Sequence, residues 1–280
     1  MPNIVSPKNR IKILETIRQG QIGGGESHVL DLVPNLNKEV FEPLVLSFTD
    51  GPMVEKLNQE GIRTYIVRTE RPFDKSIRGQ VDEIFMKEEF DLIHAHGTRA
   101  LSNTYFNAVK RKVPIIYTVH GWSFHQDQNF LIKKLRIMSE KFLIKRADLT
   151  IVVSEANMRD GIKYCGMKKY QLVHNGINLD KFNPDKEYPD IKKDLGIPPG
   201  KTTAAFIVRM TKQKDPMTVI RAAAIAAKKS NDIYFLMIGD GDLKEEAIKL
   251  SKELGLDETV IRFHKFMQDV PSILNSIDIY

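Results

Sequence analysis

The chain has 280 residues, 42% of them hydrophobic and 28% charged, a globular balance that excludes disordered, collagen-like and disulfide-rich classes and suits two domains of ordinary size. The 42 Lys and Arg against 36 Asp and Glu leave a net charge of +6, which suits anionic partners such as phosphates, nucleic acid or acidic lipid without choosing among them. No apolar run approaches the ~20 residues of a membrane span, and the segment from Met1 to Arg10 lacks the apolar stretch of a secretory leader, so the expected location is the cytoplasm.

In chain order, short β-rich apolar runs alternate with longer amphipathic stretches. Strands are predicted over residues 11–17, 41–48, 63–68, 91–96, 113–120, 149–154 and 170–175, and helices over 26–37, 54–60, 76–88, 98–110, 130–146 and 155–164. This is the pattern of βα units on a parallel sheet, and it completes one α/β domain, residues 1–177. Residues 178–200, running from Asn183-Pro184-Asp185 to Pro198-Pro199-Gly200, are rich in turn formers and charge and read as a linker. The alternation resumes with strand 202–209, helix 216–229, strand 233–238, helix 243–254, strand 259–266, helix 270–275 and a strand opening at Ile277. The second domain, 201–280, stops at Tyr280 inside that strand, so an exposed sheet edge and poor stability are expected. Cys165, the single cysteine, reads as an inert thiol, since it can form neither an internal disulfide nor a multi-cysteine metal site.

The first strand runs into Gly20-Gln21-Ile22-Gly23-Gly24-Gly25-Glu26-Ser27-His28. Glycines at a strand-to-helix turn let backbone N–H groups approach an anion that the helix dipole favours, so this is a candidate phosphate site beside the reading of a plain turn. A Gly-x-Gly-x-x-Gly dinucleotide pattern begun at Gly23 would need glycine where His28 stands, and the nicotinamide reading loses its support. His94 and His96 share one face of a strand; with no third ligand at suggestive spacing, ordinary hydrogen bonding is favoured over zinc. His120, in Thr118-Val119-His120-Gly121-Trp122, ends a strand at the carboxyl edge where open α/β sheets bind ligands.

In the second domain Arg209 and Lys214 flank a loop before a helix, where a forked guanidinium and a point-charge ammonium can converge on one diphosphate, beside the reading of a solvated basic loop. Asp242 with Glu245 matches a capping box, so Asp242 reads as a helix cap rather than a catalytic acid. Leu131, Leu135, Met138 and Phe142 form one stripe on helix 130–146, bordered by Lys133, Lys134, Lys141 and Lys145. Packing of that stripe on the protein's own core is favoured over docking on anionic lipid.

Read together in chain order, the stretches Gly23-Gly24-Gly25-Glu26-Ser27-His28-Val29, Asp91-Leu92-Ile93-His94-Ala95-His96, Thr118-Val119-His120-Gly121, Ala147-Asp148 leading to Val153-Ser154, and Val173-His174-Asn175-Gly176-Ile177-Asn178 with Phe182 and Pro184 resemble the family 4 retaining glycosyltransferases. Arg209 with Lys214, and Gly239-Asp240-Gly241, continue the match. The resemblance implies a GT-B fold of two Rossmann-like domains with parallel sheets, the second incomplete in this chain, the first facing the acceptor and the second the donor. It implies transfer of a sugar from a nucleotide-sugar donor to a saccharide or lipid-linked acceptor in cell-envelope polysaccharide synthesis, with retention and without a metal or other cofactor.

By the same resemblance Arg209, Lys214, Gly24 and Gly25 serve the donor diphosphate, His120 is the catalytic-site residue at the donor sugar, and Gly239, Gly241 and Phe266 lie near the nucleotide. Two cations and backbone amides would stabilise the leaving diphosphate without a metal, and that diphosphate can serve as base for the incoming hydroxyl, so no protein nucleophile is sought. Peripheral contact at the inner face of the membrane is implied, and no nucleic acid. The chain departs from the family in three places: the paired glutamates expected beyond Tyr280 are absent, Lys265 stands near the base where the family has glycine, and Lys214-Asp215 replaces Lys-Gly. The alternatives are a non-catalytic nucleotide-binding module or split subunit completed by another chain and, more weakly, a nucleotide-sugar epimerase. Nucleic-acid binding ranks last because the basic residues are scattered.

Overall fold

The computed structural model describes residues 10–21, 23–125 and 128–280. The segment before Arg10, read above for a leader, and Ile22 of the glycine loop lie outside the described residues. Two compact units divide the chain, one ending at Ile177 and the other Asn178–Tyr280.

The first unit is built on a seven-stranded sheet of order β3-β2-β1-β4-β5-β6-β7. Its strands are β1 Ile11–Ile17, β2 Phe41–Ser47, β3 Thr64–Ile66, β4 Leu92–His96, β5 Ile115–Val119, β6 Leu149–Val152 and β7 Tyr170–Leu172, and every pairing is parallel. Helices α1 Gly24–Asn35, α2 Pro52–Gln59, α3 Arg78–Glu88, α4 Thr98–Arg111, α5 Phe130–Ile144 and α6 Glu155–Asp160 connect them, α6 running on into a π-helical turn over Gly161–Cys165. Alternation along β2 separates the two faces: Leu44 and Leu46 join a core with Leu14, Ile93 and Tyr117, and Val45 joins one with Ile17, Val29 and Leu57.

Strand β5 begins later than the sequence predicts, because Pro114 has no N–H for the ladder and the Val113 amide is spent on Ala108 O at the end of α4. Two aspartates lock register at the strand entrances: Asp91 accepts from Lys12 N at 2.8 Å and Asp148 from Ile115 N at 2.9 Å. Cys165 is buried, and burial pushes its thiol up to about 12, so it stays protonated and unreactive.

The second unit has a parallel sheet of order β10-β9-β8, from β8 Thr202–Ile207, β9 Ile233–Ile238 and β10 Ile261–His264, with α7 Pro216–Ala227, α8 Lys244–Glu253 and α9 Val270–Asn275. The aspartate device recurs: Asp278 accepts from Thr203 N at 2.7 Å, and Ile279 bridges Ala204 in parallel on the free side of β8. Core residues again fall on both faces, Met210, Ile220, Met237 and Ile261 on one and Leu195, Ala205, Leu236 and Ile273 on the other. Leu195 is fully buried, with Ile191 and Ile197 packed beside it; part of the stretch read as linker thus supplies core to this unit.

The structure corrects two local expectations. Leu243, not Asp242, holds the N-cap position of α8, and no side-chain cap bond forms there, because the chain turns one residue further before its dihedrals become helical. On α5, Leu131, Leu135 and Met138 are 66%, 65% and 57% exposed, so most of the stripe expected to pack inward does not. The buried face of α5 runs instead through Glu140, Leu143 and Ile144. Fully buried Glu140 accepts from Thr98 Oγ1 at 2.7 Å, Tyr117 OH at 2.9 Å and Ser123 Oγ at 2.5 Å, and satisfying that carboxylate sets the rotation of the helix.

Candidate functional site

In the first unit the candidate residues gather at the carboxyl ends of β1, β4 and β5, where α1 begins. Parallel register sets Glu15 of β1 opposite His94 of β4, and the period of two turns His94 and His96 to the same side. Both rings reach one carboxylate oxygen: Glu15 Oε2 accepts from His94 Nδ1 at 2.9 Å and from His96 Nε2 at 2.8 Å. The far nitrogen of His94 meets Thr118 Oγ1 at 2.7 Å, and His96 Nδ1 meets His120 Nε2 at 3.0 Å. His28, from α1, closes the group with its ring centroid 5.0 Å from that of His120 and 5.6 Å from that of His96.

Burial shapes the charges. It opposes ionisation of Glu15, but the attraction and hydrogen bonds of His94 and His96 together outweigh it and hold the carboxyl well below the usual range. Burial, aided by the neighbouring imidazoles, pushes His96 down to about 4 and His120 down to about 3, and it lowers His28 as well. Two sets, His28 with His96 and His120, and Glu15 with His94 and His96, bring their donor atoms within 4.8 Å of one another and have the chemistry to hold a metal. In the structure the His94 and His96 nitrogens also hydrogen-bond to Glu15, Thr118 and His120, and the fold supplies the further donor groups that the spacing of the pair did not show.

Gly24 and Gly25, expected in a loop, form the first turn of α1, and N-cap Gly23 brings no side-chain cap. Amides in a first helical turn have no intrahelical acceptor, so this turn presents N–H groups. A side chain at 25 would come within 3.4 Å of His120 Cδ2; glycine lets the helix start close to that ring.

In the second unit the β8–α7 turn carries Arg209 and Lys214, both exposed. Among the described residues neither has an ion pair or a side-chain hydrogen bond within the protein. Backbone bonds from Lys214 N and Asp215 N to Thr211 O close the turn at 3.0 and 3.1 Å. Asp215, where the resembled family has glycine, takes a left-handed conformation at φ 49°; its carboxylate accepts from Thr218 N at 3.3 Å and Thr218 Oγ1 at 2.7 Å, and so caps α7.

The β9–α8 turn packs directly on this loop. Met210 N donates to Asp240 O and Leu243 N to Met210 O, each at 3.0 Å. Gly239 and Gly241 have φ 141° and 159°, and a Cβ on either would fall on the carbonyl oxygen of Val208 or Met210. Only glycine permits that approach, and the space beside each is filled by backbone. Asp240 then accepts from Phe266 N and Lys244 Nζ, both at 2.8 Å, holding the end of β10 beside the turn with the Phe266 side chain half exposed.

Two site residues escape the sequence reading, Glu15 and His28. A carboxylate inside the apolar run Ile11–Ile17, two places past buried Ile13, was the available signal for Glu15. His28 stands in the glycine stretch that carries the family resemblance, but its role comes from the ring contacts with His96 on β4 and with His120 just after β5.

Residues 22–181 match Glycosyltransferase Family 4 and residues 187–280 match Glycosyl transferases group 1. Among curated relatives, the chain is 23% identical over 287 aligned positions to the UDP-Gal:alpha-D-GlcNAc-diphosphoundecaprenol alpha-1,3-galactosyltransferase of Escherichia coli, covering 98% of this chain and 74% of that protein. It is 25% identical to a D-inositol 3-phosphate glycosyltransferase of a Mycobacterium species, over 61% of this chain and 40% of that protein, so it spans well under half the length of that relative. In fold it is similar to Anabaena HepE in complex with UDP and glucose, with a TM-score of 0.81 and 22% identity over 96% of this chain and 73% of the other.

Proposed function

We infer the chemistry of this chain from one premise: it belongs to glycosyltransferase family 4, and is an enzyme of the GT-B fold that moves a sugar from a nucleotide-sugar donor. The donor we propose is a uridine diphosphate sugar, the acceptor a saccharide or lipid-linked saccharide of cell-envelope polysaccharide, and the stereochemical outcome retention. The observation that carries this reading is the pair of exposed cations Arg209 and Lys214 on the turn leaving β8, which have no side-chain partner among the described residues. A parallel sheet binds ligands outside its carboxyl ends, and two cations there match the charge that grows on a departing diphosphate.

Each candidate takes one role. Arg209 and Lys214 neutralise the diphosphate, the amides of Gly24 and Gly25 face a phosphate, and His120 meets the donor sugar. The backbone of Gly239 and Gly241 and the exposed ring of Phe266 lie toward the nucleotide. The departing phosphate accepts the acceptor hydroxyl's proton, and the reaction needs no metal. We assign residues to 177 to the acceptor side and residues from 201 to the donor side.

The lipid-linked acceptor is supported by α5. Phe130, Leu131, Leu135 and Met138 are each more than half exposed, and Lys133, Lys134 and Arg136 lie among them, so this helix offers apolar and cationic groups to an anionic membrane surface. No described helix is long and apolar enough to cross a membrane, and the contact we propose is peripheral, at the cytoplasmic face.

Transfer is tested with radiolabelled UDP-sugars and a lipid-linked saccharide acceptor in EDTA, alongside calorimetric titration of UDP. Sugar transfer and UDP binding are expected. Absence of both would overturn the reading, and UDP binding without transfer would point to a nucleotide-binding subunit that another chain completes.

A further inference from the structure

The hydrogen-bonded line from Glu15 to His120 has a direction, and the buried carboxylate sets it. Ionised Glu15, 2% exposed, can only accept. His96 therefore gives it the Nε2 proton across 2.8 Å, which leaves a lone pair on His96 Nδ1. His120 Nε2 stands 3.0 Å from that lone pair and carries the proton that fills it. His120 Nδ1 is then bare; it is buried and has no hydrogen-bond partner among the described residues. The reverse direction would bury an unpartnered N–H at Nδ1, a costlier state than an unpartnered lone pair. Among the described residues the other titratable groups facing His120 are His28 from α1 and His94 from β4, and His94 Nδ1 is itself turned to Glu15 Oε2.

We propose that Glu15 and His96 are positioning residues that hold His120 in its neutral Nε2–H form, so that the ring offers a ligand an acceptor at Nδ1 and takes no proton during transfer. The group that completes His120 is then a hydrogen-bond donor, a sugar hydroxyl rather than a phosphate oxygen. The identity of that ligand rests on the reading of His120 as the donor-sugar contact; the state of the rings does not.

Histidine-selective 15N NMR of the full chain, with rings assigned by single substitutions, reads the tautomers directly. His120 and His96 are expected to carry protons on Nε2 alone between about pH 5 and 8. A proton on Nδ1 of His120, or a doubly protonated ring near neutral pH, would overturn the proposal in the unmodified protein. Glu15→Leu removes the anchor and should give His120 both tautomers; a folded E15L chain that keeps the single Nε2–H form would remove Glu15 from its role. In the same variant KM for the UDP-sugar should rise about tenfold, as expected for losing one oriented hydrogen bond, with the affinity for UDP alone unchanged. If the unmodified protein shows the expected tautomers but binds no UDP-sugar, the glycosyl-transfer reading fails and the positioning stands. One equivalent of zinc that shifts His28, His96 and His120 together would assign the cluster to a metal and overturn it.

Discussion

The carbonyl oxygen of Val208 occupies the space that a side chain on Gly239 would need, and the same relation joins Met210 to Gly241. The turn bearing Arg209 is thereby seated on the turn bearing Asp240, and the placing of the cations depends on two missing side chains. Gly239→Ala adds a backbone clash to an unfavourable positive φ and should destabilise the second unit by about 3 kcal/mol. Denaturant unfolding followed by far-UV circular dichroism measures this, and an unchanged midpoint would contradict the packing argument.

Arg209→Ala and Lys214→Ala should behave in the opposite way. Both side chains are exposed, so thermal unfolding should hardly move, whereas each loss of a charge-assisted contact should weaken UDP about tenfold or more. Calorimetry on the two variants, with and without EDTA, tests both the diphosphate role and metal independence. Equal UDP affinity in all chains would place the diphosphate elsewhere.

Stability should depend on pH through the histidine cluster. In the unfolded chain His96 and His120 titrate near their ordinary 6.5, and in the folded chain burial lowers them to about 4 and about 3. Between those values the unfolded state holds more protons, so stability is full above about 6.5 and is lost as the pH falls toward 4. Glu15, held below its ordinary 4.5, adds a further loss below that value. Chemical unfolding at pH 7.5 and pH 5 should differ by on the order of 4 kcal/mol, about 2 from each histidine; His120→Asn should flatten the slope, and equal stabilities at the two pH values would refute the account.

Membrane contact through α5 predicts sedimentation with vesicles containing anionic phospholipid, weakened by salt and absent with zwitterionic vesicles. Leu131→Glu with Leu135→Glu should abolish it while leaving the unfolding midpoint in place, because both side chains are exposed. Equal binding by this double variant would exclude the helix as the contact.

Much of the fold is legible in periodicity. Strand β1 spans the predicted residues, and β9 and α9 do too, because runs with a clear period and clear flanking turns leave the backbone little choice. The errors sit where one side chain decides a boundary. Pro114 delays β5, and Leu243 rather than Asp242 begins α8. The rotation of α5 could not be read from its apolar stripe, because the partners of Glu140 come from Thr98, Tyr117 and Ser123, which lie on other elements.

The α/β class, the family resemblance and the candidates Arg209, Lys214 and His120 follow from local pattern and chain order. What surrounds those candidates follows from strand pairing across the sheet. Glu15 and His96 lie 81 residues apart in the chain and meet because β1 and β4 pair in parallel. That pairing buries a carboxylate among imidazoles, and the cost of leaving any of them unpaired in a low-dielectric interior sets which nitrogen of His120 carries its proton.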